Sequence, residues 1–247
     1  MKKLFFVVSL MMVLMLAPMA MALPYQVQIG YPGSSYGVWQ TGNGGEFTVL
    51  PIGWNPLSLY DAKAKDIGVS GTFQTFCLEG GETINGYSAT YNVIFNNNAV
   101  QGGVGPAGDP ISVGTAWLYH EFQNGTLVGQ TAAGAYAYDY ANANHTRHTD
   151  AGLLQNSIWW LEGEKSIGYD ANNPFMLKVV TLYGSQANAK ADNNGQIDVI
   201  ALNLFDAQGA LHQDMLVCGT IPEPATMLLL GSGLIGLAGF ARRRFKK

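Results

Sequence analysis

Two uncharged apolar segments at the extremes of the chain, residues 4–16 and 225–241, most restrict what it can become; each is set beside Lys or Arg. Flanking charges of this kind mark segments bound for a membrane, so a water-exposed fold has to be made by what lies between them. At the start, Lys2 and Lys3 precede the apolar run, and Ala20-Met21-Ala22 forms a small-x-small cleavage signature before Leu23. That combination reads as a secretory signal peptide over residues 1–22, the rival being a retained anchor; the short run and the cleavage signature favour the signal. At the other end, seventeen uncharged residues are followed by Arg242-Arg243-Arg244 and Lys246-Lys247. At ~1.5 Å per residue a helix over 225–241 reaches about 25 Å, just short of a ~30 Å hydrocarbon core, and snorkelling arginines can close the gap. The expectation is one C-terminal transmembrane helix with its basic end in the cytoplasm.

The body between the ends is acidic. Of the 13 basic residues, seven lie in the two ends, leaving six; of the 17 acidic residues only Glu223 lies in the tail, leaving 16 and a net charge near −10. Such a surface excludes nucleic acid as a partner. Aromatics at 11% argue against disorder, since they can fill a core. Residues 26–29, 46–50, 71–77 and 88–95 are short, alternating and rich in β-branched and aromatic side chains, with Gly42-Asn43-Gly44-Gly45 and Gly80-Gly81 as turn punctuation. From about residue 111 to 190 the spacing of apolar residues is helical. It runs through Ala116, Trp117, Tyr119 and His120, then Ala132, Ala135, Tyr136 and Tyr140. Asp150 is expected to cap a helix carrying Leu154, Ile158 and Leu161 and closed by Gly163; Pro174 is expected to open another through Phe175, Leu177, Val180, Leu182 and Tyr183. Strand character returns at 199–205 and 215–217. The expected class is α+β: an ectodomain over 23–219 with a β-sandwich or barrel and a helical insert, followed by a sorting region over 220–247.

That last region has a specific resemblance. Pro222-Glu223-Pro224, the apolar span and Arg242-Arg243-Arg244 stand in the order of the PEP-CTERM sorting signal. The resemblance implies passage through the Sec translocon, trimming by signal peptidase, and a transient stay in the inner membrane. Recognition of the tail by exosortase, a membrane protease-transpeptidase, would then deliver the protein to the outer surface or exopolysaccharide matrix of a Gram-negative bacterium.

Two cysteines, Cys77 and Cys218, offer two kinds of chemistry. In an exported protein they can form a disulfide, which on a loop-entropy basis would contribute up to ~5 kcal/mol. Their surroundings offer another course. Thr75-Phe76-Cys77-Leu78 ends a strand-like run, and Leu154-Gln155-Asn156-Ser157-Ile158-Trp159 lies on the expected helix. Together these segments resemble the thioester domains of bacterial surface adhesins, which pair an aromatic-Cys-aromatic motif on a strand with Thr-Gln-x-Ala-aliphatic-Trp on a helix. Leu78, Leu154 and Ser157 stand here where that motif has an aromatic, Thr and Ala. The resemblance implies that the Cys77 thiolate attacks the Gln155 side-chain amide, that ammonia leaves, and that an internal thioester remains, shielded from water by Phe76 and Trp159. The residue types fit: a thiolate is the side-chain nucleophile that yields an activated acyl group, and an amide is the acyl source. The product would attach covalently to an amine or hydroxyl on a partner such as a surface amine or an exopolysaccharide.

Other motifs are weaker. Gly103-Val104-Gly105-Pro106-Ala107-Gly108 fits a dinucleotide pattern, yet Asn96-Asn97-Asn98 precedes it where a buried strand is required. Residues 190–198 brush the calcium-loop pattern with Lys190 in the first ligand position, which favours a turn. His145, His148 and Asp150 lie in a polar stretch, where such spacing is usually solvated. No nucleophile elbow or Ser-His-Asp ordering is present, so no enzyme activity, cofactor or metal is expected. The expected function is adhesion or matrix building at the cell surface. The alternatives are a passive envelope module with a Cys77–Cys218 disulfide and, last, an envelope hydrolase.

Overall fold

The computed structural model describes residues 25–30, 36–41, 44–84, 86, 88–100 and 108–219. The signal peptide, the C-terminal apolar span and the sorting residues Pro222, Glu223, Pro224, Arg242, Arg243 and Arg244 lie outside the described residues, as does most of the Gly103–Gly108 motif. Among the described residues no helix is long and apolar enough to cross a membrane.

Among the described residues there are twelve strands: β1 (Tyr25–Ile29), β2 (Gln40–Thr41), β3 (Gly44–Gly45), β4 (Phe47–Ile52), β5 (Phe73–Thr75), β6 (Ala89–Asn96), β7 (Asn98–Ala99), β8 (Asp109–Pro110), β9 (Val128–Thr131), β10 (Gly134–Ala137), β11 (Val199–Phe205) and β12 (Met215–Cys218). Six of them form one antiparallel sheet in the order β12-β11-β6-β1-β4-β5. Alternation sets its faces: in β1, Val27 and Ile29 are fully buried, while Gln26 points outward and donates to Asn92 Oδ1 at 3.0 Å on the opposing strand. The two edges of the sheet then meet. Cys77 bridges Met215, Leu78 N donates to Asp214 O at 2.8 Å, and Leu216 N donates to Phe76 O at 3.2 Å. The sheet is thereby a nearly closed barrel, with the backbone beyond β5 paired to β12 rather than left as a free edge.

The helical layer consists of α1 (Val113–Gln123), α2 (Arg147–Glu162), α3 (Pro174–Tyr183) and the single turn α4 (Gln186–Ala189). Ser112 caps α1 by accepting the Thr115 N–H at 3.1 Å, and Tyr119 and Phe122 on its inner face meet the barrel, where the Tyr119 hydroxyl donates to Gln74 O at 3.0 Å. Gly163 closes α2 in the left-handed region at φ 84°, as its position predicts. Pro174 opens α3 behind an Asn173 cap whose Oδ1 accepts the Phe175 N–H at 3.0 Å.

Two expectations are corrected. The helical spacing through Ala132, Ala135, Tyr136 and Tyr140 is instead a hairpin of β9 and β10. Tyr136, Tyr138 and Tyr140 recur at period two, and Gly129 lies so close to Pro174 that a Cβ would sit 2.8 Å from its Cβ, a contact that excludes a side chain there. Asp150 does not cap α2, which begins at Arg147; its buried carboxylate accepts the Tyr136 hydroxyl at 2.5 Å and the Asp139 N–H at 2.8 Å. The helix opened by Pro174 runs through the expected residues to Tyr183; it buries Pro174, Phe175, Met176 and Val179 and leaves Leu182 exposed.

One buried ion pair fixes α2 on the barrel. Arg147 at its first turn donates through Nε and Nη2 to the two oxygens of Glu46, each at 2.8 Å, and Tyr138 Oη donates to Glu46 Oε1 at 2.6 Å. Both charged groups are almost wholly out of solvent, so removing either partner would strand the other, typically at about 3–5 kcal/mol.

Candidate functional site

Cys77 lies at the barrel seam, one residue past Phe76 and opposite Met215. Gln155 lies two turns into α2, next to the buried Leu154 and one turn before the buried Trp159. The fold brings the two together over 78 residues of chain. Cys77 N donates to Gln155 Oε1 at 3.0 Å, and Gln155 Nε2 donates to Cys77 O at 2.8 Å. The side-chain amide thus lies along the Cys77 backbone as a neighbouring strand would. This arrangement is doubly useful for acyl chemistry. The thiol is on the residue that clamps the amide, and its backbone N–H is aimed at the oxygen that would carry negative charge in a tetrahedral intermediate.

The ribbon of β2 and β3 covers the pair from one side. A Cβ on Gly44 would fall 2.5 Å from Gln155 Cγ and 2.8 Å from Trp159 Cη2, so only glycine permits this approach. On the other side Cys77 opens onto a cavity of about 260 Å³, whose walls include Glu79, Glu82, Trp159, Lys165 and Gln213. Lys165 crosses Gly80, and its Nζ sits 3.8 Å from the centre of the Trp159 ring. Lys165 and Ser166 hold φ of 50° and 53°, an unusual pair of left-handed non-glycine residues directly beside the site.

The expected shielding residues divide in role. Trp159 walls the cavity, whereas Phe76, on the opposite face of the strand, packs edge-on against Phe122 at 5.0 Å and serves the core.

Burial pushes the Cys77 thiol well above its ordinary value; Lys165 opposes this shift and Glu82 adds to it. Glu79 is pushed up to about 9 by burial and by the neighbouring Glu164, Glu82, Asp214 and Asp109. Glu82 is pushed up to about 7 by burial and by Asp214 and Glu164, against a lowering contribution from the Asp214 N–H, which donates to Glu82 Oε2 at 2.9 Å. Glu79, Glu82, Lys165 and Gly44 carry no motif that singles them out; the one hint is that two carboxylates follow Cys77 within five residues.

The disulfide alternative is corrected here. Cys77 and Cys218 are both free and buried. Because Cys77 pairs with Met215, Cys218 lies three residues further along β12, or about 10 Å at ~3.3 Å per residue, beyond the ~7 Å limit for bridging Cα atoms. His145 and His148 are exposed while Asp150 points inward to Tyr136, and no group of three potential metal ligands occurs among the described residues. Asn194 and Gly195 form a turn within residues 190–198.

Fold and site together define a barrel with a helical layer, built around a buried cysteine–glutamine contact at the barrel seam. The PEP-CTERM protein-sorting motif matches residues 220–244, and points to an exported surface protein that is sorted at the membrane with exosortase as its processing partner. No curated protein matches the chain, and neither does any solved structure.

Proposed function

We propose that this is a non-enzymatic surface or matrix protein of a Gram-negative-type bacterium that attaches covalently to its partner through a Cys77–Gln155 thioester. The mature chain would run from near Leu23 to the sorting region. The reading is carried by the two-point hydrogen bond between the Gln155 amide and the Cys77 backbone. In forming the thioester, Cys77 Sγ bonds to Gln155 Cδ, the C–N bond breaks, and the thiol proton leaves with the nitrogen as ammonia. The Cys77 N–H holds the oxyanion, and burial keeps water from the product. Adhesion or cross-linking of an exopolysaccharide matrix is the use that such a bond and such a destination support together.

Intact mass tests it. The mature protein, recovered from cells without amine treatment, is expected to be lighter by the ammonia lost, about 17 Da, and to return to a Gln155 adduct on exposure to methylamine. A mass equal to that of the unmodified chain, with two titratable thiols, would overturn the reading.

A further inference from the structure

The cavity over Cys77 is built unlike the rest of the acidic surface. Glu79 and Glu82 leave the barrel seam into its wall, and Lys165 enters from the turn after α2. Glu164 from that turn accepts the Gly80 N–H at 3.0 Å, and Asp214 from the strand opposite Leu78 binds Glu82. Two polar groups here are left over. Glu82 Oε1 is buried without a hydrogen-bond partner, and so is the indole N–H of Trp159, a residue only 6% exposed. Buried polar atoms of this kind are ordinarily satisfied, so an unpaired acceptor beside a buried thiol marks a place kept for a donor. Among the described residues, the one cation in the wall is Lys165, already drawn over the Trp159 ring.

We propose that this cavity is the acceptor site for a cationic primary amine, in which Glu82, backed by Glu79, binds and deprotonates the incoming ammonium group while Lys165 steadies the departing Cys77 thiolate. The proposal rests on the thioester reading and deepens it. An ammonium group entering among carboxylates gains a counterion where it loses water, whereas a neutral hydroxyl gains no such compensation. A lysine-type amine is protonated at neutral pH and cannot attack until it gives up a proton, so a carboxylate with affinity for protons near neutrality is the base it needs.

The step balances. One ammonium proton passes to Glu82 and later to water. The freed nitrogen bonds to Gln155 Cδ, the oxyanion is held by the Cys77 N–H, and the C–S bond breaks with its electron pair on Cys77. The remaining surplus proton on nitrogen moves to that thiolate. The products are a side-chain amide at Gln155 and a free Cys77 thiol. Asp214 and Glu164 act on Glu82, Glu82 and Asp109 act on Glu79, and Lys165 shares the cavity wall with both, so the rate should rise as pH passes through about 7, where Glu82 loses its proton.

The experiment uses mature protein already shown to be short by the mass of ammonia; if that deficit is missing, the thioester reading falls and takes this inference with it. With the deficit present, Nα-acetyl-lysine methylamide and Nα-acetyl-serine methylamide are offered at equal concentration and the adducts followed by intact mass. The lysine probe is expected to add at least about tenfold faster, and Glu82→Gln to slow it by about tenfold and flatten the pH profile around 7. Hydroxylamine, already unprotonated at neutral pH, should react with wild type and Glu82→Gln within about twofold of each other, which separates loss of a base from loss of structure. Lys165→Gln is expected to slow both nucleophiles. Equal lysine and serine rates, an unchanged lysine rate in Glu82→Gln, or a Gln155–Lys165 cross-link in the peptide map would each overturn the assignment while leaving the thioester standing.

Discussion

Cys77 and Cys218 sit at the same barrel seam three register positions apart, both buried and both with thiols pushed upward by burial. Their neighbourhoods differ in kind. Cys218 faces the closed interior: its N–H donates to Tyr60 Oη at 3.0 Å, the Tyr60 and Tyr119 hydroxyls share a hydrogen bond of 2.9 Å, and Tyr119 reaches Gln74 O. The tyrosine hydroxyls there are spent on other parts of the core. Cys77 instead has a side-chain amide along its backbone and a cavity before it. Protonation state does not separate the two thiols, because desolvation raises both. What separates them is that Cys77 has the Gln155 amide hydrogen-bonded to its backbone and lines a cavity through which a partner can arrive.

The comparison breaks most sharply by substitution at either member. Cys77→Ala and Gln155→Ala are each expected to abolish the ammonia-sized mass deficit completely, while Cys218→Ala retains it; a deficit that survives Cys77→Ala would locate the modification elsewhere. The next largest effect concerns what holds Gln155 against Cys77. Arg147→Met strands Glu46 and is expected to cost about 3–5 kcal/mol, read as a lower urea midpoint, and to reduce the thioester fraction with it. A cost below about 1 kcal/mol would show that α2 is held by apolar packing instead.

Gly44→Ala should cost roughly 1–3 kcal/mol because its Cβ collides with Gln155 and Trp159. Gly81→Ala, with nothing within 4 Å of the new Cβ, should change neither stability nor thioester yield.

A smaller effect is expected from pH. Glu79 and Glu82 bind protons more tightly folded than unfolded, so the folded state holds the extra protons and stability falls as pH rises. The window runs from an ordinary carboxylate value near 4.5 up to about 7 for Glu82 and about 9 for Glu79. Urea midpoints should therefore be higher at pH 5 than at pH 8, and Glu79→Gln should flatten the difference; a midpoint that climbs with pH would contradict the burial of these carboxylates. Cys218→Ala should cost only about 1 kcal/mol, the value of a small buried apolar group.

Much of the fold was legible along the chain because the signals were local. The strand at 199–205 has the bounds of β11, Gly163 ends α2, and Pro174 opens α3, each through a backbone preference that needs no distant partner. Misreadings arose where a distant contact outweighed the local pattern. Tyr136, Tyr138 and Tyr140 belong to a hairpin and its exit because Gly129 must pass close to Pro174, and Asp150 turns from capping to hold Tyr136 and the Asp139 N–H. At the site, Cys77 and Gln155 could be matched through resemblance to a paired motif. Glu82 and Lys165 could not, since nothing near either residue in the chain announces a shared cavity.

By itself, then, the sequence determined the bounds of β11, the end of α2 and the start of α3, the acidic character of the body, and a tail with the composition of a sorting motif, because these depend on neighbours a few residues away. Only the tertiary structure decided which residue Cys77 would meet. Closure of the barrel set Cys77 opposite Met215 and out of reach of Cys218, and the Arg147–Glu46 pair set α2 so that Gln155 arrived at the seam. Contacts between residues 78 apart are chosen by register and packing, and neither is written in any local stretch of chain.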